Sequence, residues 1–552
     1  MEAPRANLRR LVLLALVPLA VLVLALAGGR GGLRGEGGIV AARVLPSAAV
    51  SAEERALHAA AAHGALPGWD PDRGAGVPLL ATLARGAWSP LRAPRWLAEP
   101  EPAAAWSAFV VLFVLGLGVE RVLARVTPSA AAVVALALQL AALASGELAD
   151  GARVEALAFL PWAAWAALEL ERAPTRARLV LAGSAAAAVL ANAPIEAAIV
   201  GAAGALVVLA RVATRAARPG ARVHARVALG LGLALGAPEL APRLAHRARV
   251  ESALTWPAPA SSARAARPAL AELDRATLDA VRATAGDGRV VRVADDAEDA
   301  RELAPTGALA AAGIGELDAA GAALEPRVAE LLDRLDPALR AGGAPLRLPR
   351  ASLVNHALFD RLRVTCVLAR EPLENPRLAL VRAEGGRFVY RRDGALPYAR
   401  VVPGELVQVP GAIGALGLLQ AGALDATSAA IADANDALPR APSTAPFHAG
   451  ELLVRRPEAD RVDVEVRGSS GGWLVFQEAW DPGWKAAIDG EDVDFVRLDH
   501  AFRALPLRAG DSIVRTKYEP FELRLGAWIA VGAALATALF AFGARRAHAS
   551  GG

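Results

Sequence analysis

The sequence predicts a polytopic α-helical membrane protein with about eight spans and a large extracytoplasmic α+β domain that ends in a β-sandwich-like module. The chain has 552 residues, of which 55% are hydrophobic and 21% charged, and its mean hydropathy is +0.35. A soluble protein of this length is less apolar on average. The apolar residues gather in long stretches, and arginines lie between them where a membrane topology explains their positions.

Eight apolar stretches are candidate spans: Leu11–Ala27, Trp106–Val119, Ala130–Ser145, Ala156–Leu168, Leu179–Ala191, Ala197–Ala210, Val227–Ala241 and Leu525–Ala544. Several are shorter than the ~20 residues that a span needs, so flanking residues must contribute or the bilayer must thin. The first stretch has the composition of a cleaved signal peptide or of an uncleaved anchor, and we favour the anchor. The positive-inside rule then places both termini in the cytoplasm of a bacterial cell, with a multi-pass chain in the cytoplasmic membrane.

The pattern predicts seven regions in order: an N-terminal anchor (1–28), a first extracytoplasmic loop (29–105), a helix bundle (106–243), a linker (244–268), an α+β domain (269–460), a β-rich module (461–522) and a C-terminal helix with a basic tail (523–552). In the module, strands are predicted at Gly472–Glu478, Asp492–Arg497, Leu505–Leu507 and Ser512–Lys517, with Asp489-Gly490 in a hairpin turn. The single cysteine, Cys366, excludes an internal disulfide framework and is predicted to lie buried in a strand.

The charge pattern disfavours two classes of function, nucleic-acid binding and coupled transport. Only Lys485 and Lys517 of the 60 basic residues are lysine, and the net charge is +4; we attribute the arginines to genome composition and expect no nucleic-acid partner. The candidate spans are almost free of charge, so coupled transport is poorly supported. Acidic residues instead lie at the predicted outer ends of spans, among them Glu147, Asp150 and Glu239.

Asp70 and Asp72 lie in the first predicted loop, in a segment that glycine and proline punctuate closely. Two nearby carboxylates can hold a divalent cation, Mg²⁺ or Mn²⁺, against a phosphate, or take a proton from a hydroxyl. Trp69 and Trp88 offer apolar faces for a sugar ring or a lipid interface. The simpler alternative, in which Asp70-Pro71 only caps a turn, stays open.

Several ordered motifs carry a resemblance to a known family. They include Gly64–Pro71, Gly76–Leu79, Trp88–Leu91 and, most strongly, Trp480–Gly490. These segments resemble the YfhO family of bacterial membrane proteins, which are similar to glycosyltransferases of the GT-C type that use lipid-linked sugars. The resemblance implies a GT-C-like helix bundle and transfer of a sugar from a polyprenyl-phosphate carrier to an envelope glycan or lipid acceptor outside the membrane.

The chain departs from that family in two respects. It lacks the further spans that usually precede the outer domain, so it resembles a shortened member. The acid expected soon after the first span is also missing; Glu53 and Glu54 are the only acids there, and Asp70 replaces the usual asparagine.

The resemblance implies a role for each candidate residue. A carboxylate among Asp70, Asp72, Glu53 and Glu54 would deprotonate the acceptor. Further candidates for substrate binding are Trp69, Arg73, Trp88, Glu147, Asp150, Arg153, Glu239 and Arg243, with an arginine balancing the donor phosphate. Besides the donor and acceptor, membrane lipids are the expected partners. The alternative function is a non-catalytic envelope-assembly or glycan-binding membrane protein.

Overall fold

A computed structural model provides the fold. It describes residues 2–29, 48–62, 68–79, 100–124, 130–145, 152–172, 230–235, 240–245, 273–304, 307–318, 325–336, 346–422 and 424–549, with a few isolated positions between them.

The N-terminal third is helical where it is described, apart from the segment 68–79. Its helices are α1 (Glu2–Gly29), α2 (Ala48–Ala62), α3 (Pro100–Leu123), α4 (Ala131–Ser145) and α5 (Ala152–Arg172). Helix α3 is central, because α1, α4 and α5 all pack against it. The buried amide of Gln139 on α4 donates to the carbonyl oxygens of Leu14 (3.1 Å) and Leu112 (2.9 Å), which ties three helices together.

An α/β unit follows. Its strands are β3 (Arg289–Val293), β4 (Arg347–Leu348), β5 (Val364–Ala369), β6 (Leu378–Glu384) and β7 (Arg387–Arg392), in the sheet order β4-β3-β5-β7-β6. Strand β3 is parallel to β4 and β5, whereas β7 is antiparallel to β5 and β6. The helices are α6 (Arg275–Ala285), α7 (Ala297–Leu303), α8 (Ala308–Ala311), α9 (Pro326–Leu335) and α10 (Leu358–Arg361), with a 3₁₀ turn at Ala351–Asn355. Cys366 is fully buried in β5, as the sequence predicts.

Two antiparallel sheets pack face to face beyond this unit. One has the order β11-β12-β18-β14-β15 and the other β16-β17-β13-β8. Their bounds are β8 Ala399–Val402, β11 Glu451–Glu458, β12 Arg461–Ser469, β13 Gly472–Ala479, β14 Trp484–Ile488, β15 Glu491–Val493, β16 Val496–Leu498, β17 Phe502–Leu507 and β18 Gly510–Tyr518. Val464, Leu474, Phe476 and Leu505 belong to the core between the sheets, so this part is a β-sandwich.

Smaller elements complete the chain. The parallel pair β9 (Val407–Val409) and β10 (Ile431–Asp433) flanks helix α11 (Gly411–Ala421), and helix α12 (Phe521–Ala549) follows β18. A short antiparallel hairpin joins β1 (Trp69–Asp70) to β2 (Val77–Pro78) in the predicted first loop.

The prediction of a polytopic protein with about eight spans is wrong. Among the described residues, one helix, Pro102–Leu123, is long and apolar enough to cross a membrane, and the chain forms five β-sheets. Leu11–Ala25 and Ala131–Ala144 are shorter apolar helices, while Leu179–Ala191 and Ala197–Ala210 lie outside the described residues.

The physical reason is that a continuous apolar run does not by itself distinguish a span from a buried element. Strand β13, for example, is buried at all eight positions within the protein. The alanine-rich helices α3 and α5 bury small side chains against each other. Such buried strands and helices raise the mean hydropathy of the chain just as spans would.

Candidate functional site

The segment 68–79, here called the Trp69 hairpin, lies between the α/β unit and the β-sandwich. The backbone N–H of Gly74 donates to the carbonyl oxygen of Glu316 (2.9 Å), and that of Glu316 donates to Asp72 (2.8 Å). On the other side, the N–H of Ala479 donates to the carbonyl oxygen of Ala75 (2.7 Å). Backbone hydrogen bonds therefore attach the hairpin to both units.

Trp69 anchors this hairpin in an aromatic cluster. Its ring centroid lies 5.3 Å from that of Trp484 and 4.9 Å from that of Tyr518, and its Nε1 donates to Glu478 Oε1 at 3.1 Å. Gly76 has φ +93°, and a Cβ there would come within 2.5 Å of the Trp69 ring. Position 76 therefore requires glycine for two reasons: the positive φ is unfavourable for other residues, and the Trp69 ring leaves no room for a Cβ.

Asp70 is tied into the hairpin itself. Arg73 Nε donates to Asp70 Oδ2 at 2.6 Å, and both side chains are buried. The other carboxylate oxygen accepts from the backbone N–H of Asp72 at 3.0 Å. This geometry gives Asp70 and Arg73 a structural role in holding the turn.

Asp72 has different surroundings, because its side chain is only partly buried. Burial raises the pKa of its carboxyl above the ordinary aspartate value, and the charge of Asp70 adds to the increase. Arg55, Arg456 and Arg289 lie within electrostatic range and oppose that rise. Asp72 is therefore a partly accessible carboxyl group with an elevated proton affinity, which suits general acid–base chemistry.

Glu478 is the centre of a hydrogen-bonded network that includes Arg456. Tyr398 Oη donates to Glu478 Oε2 at 2.6 Å, Arg456 Nη2 donates to Oε1 at 2.8 Å, and Arg503 also donates to the same carboxylate. Burial acts to raise the pKa of Glu478, but Arg456 and Arg503 outweigh it and lower the pKa to about 2. Glu478 therefore stays ionised and positions two guanidinium groups.

Arg289, Arg363 and Arg456, here called the guanidinium cluster, surround Tyr398. The guanidinium carbons of Arg363 and Arg456 lie 5.1 Å and 5.0 Å from the Tyr398 ring centroid. Arg289 Nη1 donates to the carbonyl oxygen of Leu362 at 2.9 Å. Burial, with the like charge of Arg363 second, lowers the pKa of Arg289 to about 10. Positive charge is thus concentrated beside Asp72.

Helix α2 connects the site to the C-terminal helix. Arg55 Nη1 donates to the carbonyl oxygen of Ala310 at 3.1 Å, and Leu57 forms an apolar cluster with Leu79 of the hairpin and Leu523 of α12. The hairpin therefore lies next to the first turn of α12.

The other predicted site residues are not brought together by the described structure. Glu53 and Glu54 belong to α2 and Arg153 to α5, but their side chains lie outside the described part. Arg243 is buried in a short helical segment at residues 240–245. Predicted residues outside the described ranges are Trp88, Glu147, Asp150 and Glu239. Among the residues that the structure describes, no three His, Cys, Asp or Glu side chains gather as a metal site.

Sequence analysis missed Glu478, Tyr398 and the guanidinium cluster. They lie hundreds of positions from Asp72 in the chain, and only the fold brings them close. One local signal was available: Glu478 is the charged residue in the predominantly apolar strand Gly472–Ala479. A charge inside a fully buried strand requires a partner.

Comparison with known protein families, with curated proteins and with solved structures gives no match to this chain.

Proposed function

We propose that the protein is a membrane-attached glycosyltransferase that transfers a sugar from a polyprenyl-phosphate carrier to an extracytoplasmic envelope acceptor. The observation that carries the proposal is Asp72, a partly accessible carboxyl group of raised pKa that lies within electrostatic range of three arginines. Of the four candidate bases, Asp72 fits this role better than Asp70, because Asp70 is buried and paired with Arg73.

In this mechanism the acceptor hydroxyl group binds beside Asp72. Its oxygen forms a bond to the anomeric carbon while Asp72 takes the hydroxyl proton. The bond from that carbon to the carrier phosphate breaks, and the phosphate leaves with the electron pair. Nearby guanidinium groups stabilise the charge that develops on the leaving phosphate. A single displacement of this kind inverts the anomeric centre.

Exposed apolar surface on the helices supports membrane lipids as a partner. On α12, Phe521 and Trp528 are 70% and 72% exposed, and large apolar side chains of α1 and α4 are exposed as well. Several large apolar side chains exposed on one helix are typical of contact with a membrane or another protein. The site lies beside the first turn of α12, which suits a donor that carries a lipid chain.

A second function, envelope assembly or glycan binding without catalysis, is favoured by a different observation. Trp69, Asp70 and Arg73 are all committed to holding the hairpin between two units. Three of the candidate site residues are thus explained by folding alone.

Complementation of a deletion strain distinguishes the two functions. Polyprenyl-phosphate-linked sugars and envelope glycans are measured by mass spectrometry after rescue with wild type, Asp72→Asn, Asp70→Asn or Asp492→Asn. Asp492 is an exposed aspartate on β15 and serves as the matched control. We expect donor accumulation and loss of one glycan sugar only with Asp72→Asn at normal protein levels. Full rescue by Asp72→Asn would exclude Asp72 as the base and favour the assembly function.

A further inference from the structure

We propose that the guanidinium cluster is a binding site for a phosphoryl group, held by Arg289, Arg363 and Arg456 beside Asp72. This inference rests on the proposed function in one respect, since it takes the donor's phosphate as the natural ligand. The binding of a phosphate is nevertheless measurable without any sugar transfer.

Arg289 provides the first observation. Its side chain is buried, yet among the described residues no carboxylate lies within ion-pair distance of it, and its Nε has no hydrogen-bond partner there. Its donated hydrogen bonds go to the neutral carbonyl oxygens of Leu362 and Gln477. A buried guanidinium without an anionic partner is costly, and binding of an anion removes that cost.

Arg363 provides the second observation, because its charge is poorly compensated. Its partner is Asp287, whose side chain is 86% exposed, and its buried Nε is also without a partner in the described structure. The residue has φ +57°, a left-handed conformation that is unfavourable for arginine. Backbone strain of this kind is typical of binding and catalytic positions.

Two arginines of the cluster have a carboxylate partner, Glu478 for Arg456 and the exposed Asp287 for Arg363, whereas none of the described carboxylates pairs with Arg289. Glu478 already accepts hydrogen bonds from Arg456, Arg503, Tyr398 and Trp69. Asp70 is paired with Arg73, and among the described residues Asp72 forms no ion pair with an arginine of the cluster. Net positive charge therefore remains around Tyr398.

A phosphoryl group matches this surplus in charge, and the buried Nε groups of Arg289 and Arg363 have no hydrogen-bond partner among the described residues. Guanidinium groups donate pairs of parallel N–H bonds that fit the oxygens of phosphate. Arg456 is 25% exposed, so it gives a ligand access to the otherwise buried cluster. The charges of Arg289 and Arg456 both act on the Asp72 carboxyl group. A phosphate bound by these two arginines would therefore lie close to the proposed base.

The test measures ligand binding to the full chain in detergent, by thermal shift and calorimetry. The probes are inorganic phosphate, farnesyl phosphate as a short lipid-linked phosphate, and farnesol as the uncharged control. Wild type is compared with Arg289→Gln, with Arg363→Gly and with Arg467→Gln, an exposed arginine of β12 paired with Glu465. Glycine tolerates a left-handed backbone, so Arg363→Gly keeps the proposal testable even if Arg289→Gln does not fold.

We expect farnesyl phosphate to bind and farnesol not to bind. Arg289→Gln and Arg363→Gly each weaken the affinity at least about tenfold, as expected for loss of a charge-assisted hydrogen bond, while Arg467→Gln has the wild-type affinity. Farnesyl phosphate binding more tightly than inorganic phosphate identifies a lipid-linked ligand; equal affinities identify a free phosphorylated ligand.

Wild-type affinity in Arg363→Gly, or no binding of either phosphate to the wild type, would overturn the proposal. Asp72→Asn separates it from the proposed function. If Asp72→Asn still binds phosphate, the phosphate site does not depend on the proposed base. If deletion of the protein also leaves all envelope glycans unchanged, the transferase function is refuted while the phosphate site is retained.

Discussion

Asp70 and Asp72 stand two positions apart in the same turn and differ because of what their carboxylates contact. Asp70 accepts from Arg73 and from a backbone N–H, so it is held within the hairpin. Asp72 is partly accessible, and burial together with the charge of Asp70 raises its pKa. At the scale of single residues, neighbouring charges and exposure decide which of two identical side chains is available for chemistry.

The first prediction concerns the pH dependence of sugar transfer. A general base acts in its ionised form, and the pKa of Asp72 is raised. As the pH is lowered, activity should therefore be lost at a higher pH than with a base of ordinary aspartate pKa. Asp70→Asn removes one of the two causes of that rise and should move the acidic limb of the kcat/KM profile to lower pH. Profiles of wild type and Asp70→Asn measure this shift. A limb at the same pH in both proteins would contradict it.

The second prediction concerns Glu478, whose pKa is lowered from its ordinary value of 4.5 to about 2 by Arg456 and Arg503 against the effect of burial. A depressed folded-state pKa gives stability that is present above about pH 4.5 and is lost as the pH falls towards 2. The shift corresponds to about 3 kcal/mol. Glu478→Gln leaves two buried guanidinium groups without their carboxylate, so a loss of about 3–5 kcal/mol is expected at neutral pH.

Thermal unfolding between pH 3 and pH 7 measures the effect. Glu465→Gln is the control, since Glu465 forms an ion pair with Arg467 on the surface of β12, where such pairs contribute little. Glu478→Gln should lower Tm strongly at pH 7 and flatten its dependence on pH below 5. An unchanged Tm would show that the network around Tyr398 does not stabilise the fold.

At the scale of elements, the Trp69 hairpin joins the α/β unit to the sandwich and carries Asp72 between them. Its position depends on Trp69 filling the space beside Trp484 and Tyr518. Any change that displaces the indole ring therefore moves the candidate base as well as weakening the junction.

The third prediction compares two glycines of similar backbone conformation. Gly76 has φ +93° and a Cβ there would meet the Trp69 ring, whereas Gly490 has φ +91° and open space around it. Gly490→Ala should cost ~1–2 kcal/mol for the backbone alone. Gly76→Ala adds overpacking of ~1–3 kcal/mol and should lower Tm further while altering tryptophan fluorescence. Equal Tm values for the two variants would refute the contact with Trp69.

The turn and the strands of the β-rich module were predictable because neighbouring residues determine them. The Asp489-Gly490 turn joins β14 to β15 with both residues at positive φ, and the four predicted strand segments of the module overlap β13, β15–β16, β17 and β18. Two-residue turns and alternating strands are determined by neighbouring residues.

Features that depend on distant contacts were not predictable in this way. The apolar runs Leu11–Ala25 and Ala131–Ala144 form helices shorter than a membrane span, and hydropathy alone does not distinguish such helices from spans. The partners of Asp72 come from α2, β3 and β11, which only the folded chain brings together. The role of Asp70 was equally hidden, since it depends on the contact with Arg73.

For the whole molecule, the helices and the outer units differ in the surface they expose. Strand β18 of the sandwich buries alternate residues and exposes the charged side chains of Arg515 and Lys517 between them. Helix α12 instead exposes Phe521, Leu525, Trp528 and Leu535. The hairpin lies beside the first turn of this helix, and the proposed function predicts that the exposed apolar side chains of α12 contact lipid.

The fourth prediction tests that arrangement with the protein reconstituted in vesicles of phosphatidylcholine brominated on its acyl chains. Bromine quenches tryptophans within the bilayer, so part of the fluorescence should be lost. Trp528→Phe should reduce the quenched fraction, because Trp528 is 72% exposed on α12. Trp473→Phe, which removes a tryptophan buried in β13, should leave the quenched intensity unchanged. If Trp528→Phe leaves the quenched intensity unchanged as well, α12 does not contact lipid there, and the site beside its first turn would have to recognise a donor in solution.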